Sequence, residues 1–563
     1  MFCKNVKKSF FIFLAALICF SAHADLYQIG KITYDISGST KEYALRTKVP
    51  VDKKKIFSSE DELMTYINDY KKRLENTRAF EKIQVDFSLE EADIDEKENK
   101  IKIEDEVPDE NVQLEENEVI SLEENENAIS AEEKFYFVNL NVSVSNSLHF
   151  LLMPYPKYDS NSGFALKLKT KDSNFFGTLE TMSGDLNFAI ASKDETKYDY
   201  KFGLDMNFEV PFKLGIFDSV WMNDYNISYT IGKNTPEWNF KTGLELSLPF
   251  ERFSVKLDFY QSFIRNLDYE DADVNGTNVH YGDGTYFVEE AKISVPIVIQ
   301  KIKNWGNIYY TLYFNGKFNW DTDGISNLNE DLMSPVLSLG QTFSTSRIDW
   351  MGNFRNGVSV SLTQSFSYNV QKLDFIPGIS GELKFFKAFK YLGISANAYV
   401  FAYLNGNSSF GERLRGIRDE QYYSTASTAA DKKACESPAA VVLNFDFPVR
   451  IFLAKWDEMS FMQKVPRIKK IAKYFNMEFH LSPFLDIALY RNKATGLNFD
   501  YRDGFYAAGI EAIVYPLKWK GMVVRGSFGL DLSQTMPGLK GKLNQDWRNS
   551  KPYEISIGIG LHY

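Results

Sequence analysis

Hydrophobic and polar positions alternate one for one along most of this chain. From Tyr198 to Val210 the apolar row is Tyr198, Tyr200, Phe202, Leu204, Met206, Phe208 and Val210, interleaved with Asp199, Lys201, Gly203, Asp205, Asn207 and Glu209. The same period recurs in Phe253 to Phe259 and in Val358 to Tyr368. It returns at the carboxyl end, where Tyr553, Ile555, Ile557, Ile559, Leu561 and Tyr563 share one face and Glu554, Ser556, Gly558, Gly560 and His562 the other. A period of two places successive side chains on opposite faces of a strand. About seventeen such segments lie between Phe164 and Tyr563, and one is discounted because a barrel with both ends on the same side needs an even count. The expected fold class is mostly β, an antiparallel transmembrane β-barrel of about sixteen strands over 153–563. Apolar rows with aromatics at both ends suit the height of a bilayer.

Residues before the barrel follow other periods. Ile29 to Ile36 predicts a strand, Lys41 to Arg46 a short helix, and Ser58 to Thr77 a longer helix that starts at a Ser-Ser-Glu-Asp cap. Leu63, Ile67, Tyr70 and Leu74 recur at helical spacing and mark its apolar face. Strands are expected at Lys82 to Leu89 and at Phe137 to Val144. This order, strand, helix, helix, strand, strand, makes a small α+β domain over 25–152. Arg467 to Phe475 is the one helical interruption of the barrel, a basic amphipathic turn that either lies on a lipid surface or is an enlarged loop.

Charge changes the picture in one place. Between Glu90 and Glu133 nineteen Asp and Glu stand against three Lys, a balance of −16, whereas the whole chain stands at −11. So charged a stretch with few aromatics buries too little surface to fold, and 90–134 is expected to be a disordered acidic insertion. Lys4, Lys7 and Lys8, the apolar run Phe10 to Phe20, and Ala22-His23-Ala24 before Asp25 form a secretory signal peptide over 1–24. Beyond it only Cys435 remains, so neither a disulfide nor a thiolate metal site has its partners.

Candidate chemistry is sparse. His149, His280, His480 and His562 occur singly, and neither a G-x-S-x-G elbow nor an H-E-x-x-H pair is present. No catalytic residue, cofactor or metal site is expected, and the chain is not expected to be an enzyme. Asp271 to Gly276 opens like a calcium loop, but its twelfth position is Gly282 instead of Glu, which favours a solvated loop.

The distinctive stretch is Gly411-Glu412-Arg413-Leu414-Arg415-Gly416-Ile417-Arg418-Asp419. Alternation on the strands after it turns Leu443, Phe445 and Phe447 to one side and Asn444 and Asp446 to the lumen. In the same way Asp486 faces the lumen opposite Leu485, Ile487 and Leu489. An arginine carried in by a loop can pair with both acids through its forked donors. With these residues the chain resembles the BamA/TamA superfamily of outer-membrane assembly barrels, the bacterial surface antigen type. Leu414-Arg415-Gly416-Ile417 is similar to the family's loop motif, while Asn444-Phe445-Asp446-Phe447-Pro448 and Phe484-Leu485-Asp486 are similar to the strands that hold it. Leu74 to Phe80 resembles the end of the second helix in the family's POTRA domain. Tyr155 to Asp159 with Gly163, and Asn174 to Gly177, resemble the entry into the barrel.

The resemblance implies a loop lock of Arg415, Gly416, Asp446 and Asp486, and an assembly signal at Tyr563. It also implies a single periplasmic POTRA domain before an outer-membrane barrel that assists insertion or translocation of other proteins. Gly558 and Gly560 weaken the last strand, and the seam is expected between it and a first strand near Phe164. Implied partners are outer-membrane lipids and unfolded outer-membrane or exported chains taken up through the POTRA domain, with no nucleic acid; the oligomeric state stays open. Alternatives are a passive porin or structural outer-membrane protein, or a dedicated exporter of one partner. The topology is testable with tags: one inserted after Asn278 or Ser424 is expected to be labelled on intact cells, while residues 25–150 resist added protease. Unlabelled tags with a digested amino-terminal domain would invert the orientation.

Overall fold

The computed structural model describes residues 25–91, 94–95, 100–101, 134–159, 163–194, 197–266, 272–274, 277–279, 284–302, 306–320, 335–417, 435–459, 472–492, 496–536 and 552–561. The expected leader, Arg418, Ser424, most of the acidic insertion and calcium-like loop, the basic turn up to Ile471, and Tyr563 lie outside them. At the turn's end Lys473–Phe475 forms a 3-10 turn. At the edge of the insertion Ile94–Asp95 pairs with Lys100–Ile101. Among the described residues the chain forms two compact units, one within 25–38, 45–74 and 82–145, the other within 39–44, 75–81 and 146–561.

The first unit takes the expected order with one short strand, β2, added between the helices: β1 (Leu26–Ser37), α1 (Glu42–Lys48), β2 (Ile56–Phe57), α2 (Glu60–Asn76), β3 (Phe80–Glu91) and β4 (Phe135–Asn146). Its sheet runs β2-β1-β4-β3, with β1 and β4 parallel. The cap of α2 is closed from both sides. Ser59 Oγ accepts the Glu62 N–H at 3.2 Å, and the Glu62 carboxylate accepts the Ser58 N–H at 3.3 Å. Leu63, Ile67, Tyr70 and Leu74 are all buried, as are Val138, Leu140, Val142 and Val144 of β4. The Tyr70 and Tyr34 hydroxyls, 3.5 Å apart, join α2 to β1.

The second unit is one antiparallel sheet of nineteen strand segments whose last member lies beside its first. In chain order they are β5 (Phe150–Asp159), β6 (Gly163–Phe175), β7 (Glu180–Asp194), β8 (Lys197–Leu214), β9 (Phe217–Thr230), β10 (Glu237–Pro249) and β11 (Ser254–Arg265). Then follow β12 (Thr285–Ile302), β13 (Gly306–Trp320), β14 (Val336–Met351), β15 (Phe354–Asn369), β16 (Asp374–Ala388) and β17 (Gly393–Tyr403). The last are β18 (Ala439–Asp446), β19 (Val449–Ala454), β20 (Met477–Tyr490), β21 (Phe505–Pro516), β22 (Val524–Asp531) and β23 (Tyr553–Ile559).

The count departs from the expected sixteen for a definite reason. Both β18 and β19 pair with β20 in one continuous register, Asp446 opposite Phe484 and Val449 opposite Leu481, so they are one crossing interrupted at Phe447-Pro448. Among the described residues nineteen segments therefore make eighteen crossings. The seventeen read downstream of Phe164 all stand, and the even count is met by β5 ahead of them. Pro154 and Pro156 concealed β5, because proline argues against a strand interior. The first strand is thus at Phe150, not near Phe164.

Outside, Phe202, Phe259, Phe314, Phe318, Leu339 and Ile555 are among many large apolar side chains left exposed. Apolar exposure on that scale is the lipid-facing wall of a membrane barrel. Inside, Asp258, Ser262, Asn397, Asn444 and Glu511 are buried and polar. Because the first unit's core is separate, Leu63→Ala is expected to lower its stability by about 2 to 5 kcal/mol. The urea midpoint of that unit should fall while the barrel's heat-modifiable migration stays as it was; an unchanged midpoint would remove Leu63 from the core.

Candidate functional site

The wall formed by β18, β20 and β21 changes character along its length. Its lumen-facing residues near the β17–β18 loop are Ala440, Val442, Ala488, Tyr490, Phe505 and Ala507, all buried and apolar. Further along the same strands they become Asn444, Asp446, Ser482, Asp486 and Glu511. Strand alternation holds both sets on one face, so the wall offers an apolar shelf above a polar one.

The loop fits that gradient. It is pinned at its base, where Ser408 and Ser409 pair with Ser437 and Glu436 and the Phe410 N–H donates to the Cys435 carbonyl at 2.9 Å. Phe410, Leu414 and Ile417 are buried in the apolar cluster, and the Phe410 ring lies 5.2 Å from Tyr490 and 5.7 Å from Phe505. Between Leu414 and Ile417 the chain turns Arg415 onto the polar shelf. Its side chain is 4% exposed.

All three nitrogens of that guanidinium donate to carboxylates. Nη2 and Nε donate to Asp486 Oδ1 and Oδ2 at 2.8 and 3.0 Å, and Nη1 donates to Asp446 Oδ1 at 2.5 Å. The Arg415 backbone N–H also donates to Asp486 Oδ2, at 2.9 Å, so the aspartate fixes main chain and side chain together. The guanidinium stacks 3.9 Å from the Phe484 ring centroid. A buried, planar, permanently charged group demands this degree of pairing, since removing a partner from such a pair costs about 3 to 5 kcal/mol. Asp446 also lines a small cavity of about 30 Å³ together with Arg355 and Glu511.

Gly416 has a reason to be glycine. Its φ is +79°, and a Cβ there would sit 2.9 Å from the Gly529 backbone of β22. Its N–H donates to Glu554 Oε2 on β23 at 2.7 Å. The loop therefore touches the last strand directly.

Of the residues expected to act together, the structure brings Arg415, Gly416, Asp446 and Asp486 into one cluster. Arg413 is elsewhere: its side chain is about one third exposed, lies 3.6 Å from the Tyr399 ring centroid, and pairs with Glu382 at 2.9 Å. Gly558 does not leave the last strand bare, because the Arg525 side chain lies over it, with Nε 3.1 Å from where a Cβ would be, and pairs with Glu511. Gly560, at φ +91°, lies just past the strand and donates its N–H to the Val523 carbonyl at 2.7 Å. Sequence reasoning missed Glu554, Gly529 and the stacking role of Phe484. Alternation does put Glu554 on the polar face of the last strand, but no local pattern names its partner.

Fold and site together define a class: an antiparallel membrane barrel that keeps one of its own loops inside the lumen through a buried arginine. No family model and no curated protein matches the chain. Among solved structures it is similar to CdiB from Acinetobacter baumannii, at 12% identity and a TM-score of 0.45, covering 95% of this chain and 74% of that one. BamA from Haemophilus ducreyi lacking POTRA domains 1–3 is similar at 10% identity and 0.33, covering 94% and 84%. CdiB from Escherichia coli is similar at 9% and 0.39, covering 96% and 91%. Likenesses this distant carry no functional weight; the cluster's own geometry does.

That geometry separates the arginines. Arg415→Ala is expected to lower the barrel's urea midpoint far more than Arg413→Ala, and Asp486→Arg to match it. Arg415→Asp combined with Asp486→Arg should recover only part of the loss, because the Arg415 N–H would then face a cation. The coupling is read from the double-mutant cycle of that midpoint. Equal and additive effects would contradict a shared pair.

Proposed function

We propose that this chain is an outer-membrane barrel of the BamA/TamA type that inserts or translocates other proteins, with its first unit as a POTRA domain in the periplasm. The observation that carries the reading is the hydrogen bond from the loop's Gly416 to Glu554 on β23, which ties the buried arginine to the barrel's seam. A passive pore has no need of a loop anchored to its last strand, and the apolar cluster around Phe410 occupies lumen that a wide pore would leave open.

The seam has its own weakness. Pro154 and Pro156 sit two residues apart on β5, and both lack an N–H directed to the same edge of the strand. Pairing with β6 continues unbroken across both, Pro154 opposite Leu168 and Pro156 opposite Leu166. The missing donors therefore fall on the edge turned to β23. A seam short of donors parts at lower cost than its neighbours, which suits a barrel that admits a client strand sideways. In the first unit β3 has a neighbour on one side only among the described residues, and its twelve-residue edge suits capture of an extended chain by strand addition.

The test places cysteines across the seam, one at Leu152 and its partner walked from Ile555 to Ile557, in cells that depend on this chain. Oxidation is expected to stop the appearance of assembled or exported clients, and reduction to restore it. Full activity with the seam covalently closed would contradict lateral opening.

A further inference from the structure

The lipid-facing wall from β9 to β13 is not uniformly apolar. Strand register stacks its outward residues in ranks. One rank is aromatic: Tyr225, Phe240, Phe263, Phe287 and Trp320 lie side by side on five neighbouring strands. Phe287 stacks on Phe263 at 4.9 Å and on Trp320 at 4.5 Å. Such belts mark the headgroup level of a bilayer. The next rank toward the far end of the strands reads Asn223, Thr242, Gln261, Glu289 and Phe318, four polar residues in a row where lipid chains would begin. The rank beyond returns to apolar Trp221, Leu244 and Phe259, then to the small Ala291 and Gly316.

This rank is organised. Trp221 Nε1 donates to Thr242 Oγ1 at 3.0 Å, and Thr242 Oγ1 donates to Asn223 Oδ1 at 3.0 Å. Gln261 Nε2 and Trp320 Nε1 both donate to Glu289 Oε1, at 2.7 and 3.2 Å. Both donors take the same oxygen, and among the described residues none reaches Oε2. Asn223, 2% exposed, has its Nδ2 buried without an acceptor among them. The rank borders a groove of about 790 Å³, walled by Phe212, Trp221, Phe259 and Phe318 and floored by Ala291 and Gly316.

A carboxylate turned toward lipid is destabilising unless something in the lipid phase pairs with it. We propose that this groove is a binding site for a lipid whose headgroup carries a primary ammonium. The ammonium pairs with Glu289 Oε2 just beneath the aromatic belt, and one hydrocarbon chain lies along the apolar groove over Ala291 and Gly316. Charge and shape agree on that occupant: the open acceptor asks for a cationic donor, and of the other polar residues lining the groove Thr242 and Gln261 belong to the same outward rank while Tyr260 and Glu290 alternate to the other face of their strands. The site lies on the outer wall and stands independently of the loop cluster and of what the barrel transports.

The test equilibrates the purified full chain with vesicles of equal phosphatidylethanolamine and phosphatidylglycerol, then counts retained lipids by native mass spectrometry. The wild-type barrel is expected to retain phosphatidylethanolamine over phosphatidylglycerol by about fivefold, the weight of one partly desolvated ion pair. Glu289→Gln keeps the shape and should bring the ratio to about one. Gly316→Leu fills the groove, and its Cβ meets only the Leu337 side chain at 3.6 Å, so it should fold and lose retention of both lipids. A wild-type ratio near one overturns the proposal, even if a variant fails to fold. So does a Glu289→Gln barrel that keeps the preference, or an oligomer crosslinked through Phe259→Cys that shows this face to be covered by a second copy.

Discussion

One buried positive charge organises the barrel interior. Arg415 cannot shed its proton, and it lies where water does not reach, so the fold must surround it with acceptors or leave the loop outside. Asp486 accepts three hydrogen bonds from Arg415 and Asp446 accepts another. Asp446 ends β18 and Asp486 lies within β20, strands that pair with one another, Asn444 opposite Asp486, so their spacing is set by backbone register and not by flexible loops. That is why a loop can be held in one orientation: its anchor is part of the sheet.

What the charge fixes, the rest of the loop uses. Phe410, Leu414 and Ile417 find the apolar shelf only when Arg415 has found the polar one, so burial of hydrophobic surface and pairing of charge reinforce the same pose. The Gly416 and Gly529 backbones approach within reach only because both lack a side chain. Through Glu554 the pose extends to β23, next to the edge where Pro154 and Pro156 withhold donors. A lock made of strong, buried bonds therefore abuts a seam made of few, and a change at either is felt by the other.

Much of this was legible in the sequence, and the misses have physical causes. Period-two alternation put Asp446 and Asp486 on the lumen face because that period is a property of the extended backbone itself. The helix of the first unit was readable from Leu63, Ile67, Tyr70 and Leu74 and from its Ser59 and Glu62 cap, since both are local. The strand count erred at β5, where proline's local preference opposed a tertiary requirement for one more strand. Gly558 was read as bare because alternation cannot see Arg525 reaching across from the neighbouring strand. Glu554 and the polar rank ending in Glu289 escaped for a related reason: each matters through partners on other strands, and register between strands is not written in any single one.

The central claim is that the arginine cluster and the last strand are one mechanical unit. Hydrogen exchange of the Tyr553–Ile559 amides, compared between the native chain and Arg415→Ala in the same bilayer, tests it most directly. The account predicts that losing the guanidinium speeds exchange along β23 while β14 and β15, far around the barrel, keep their protection. Unchanged protection in β23 with the loop released would show that lock and seam are independent, and would contradict the account.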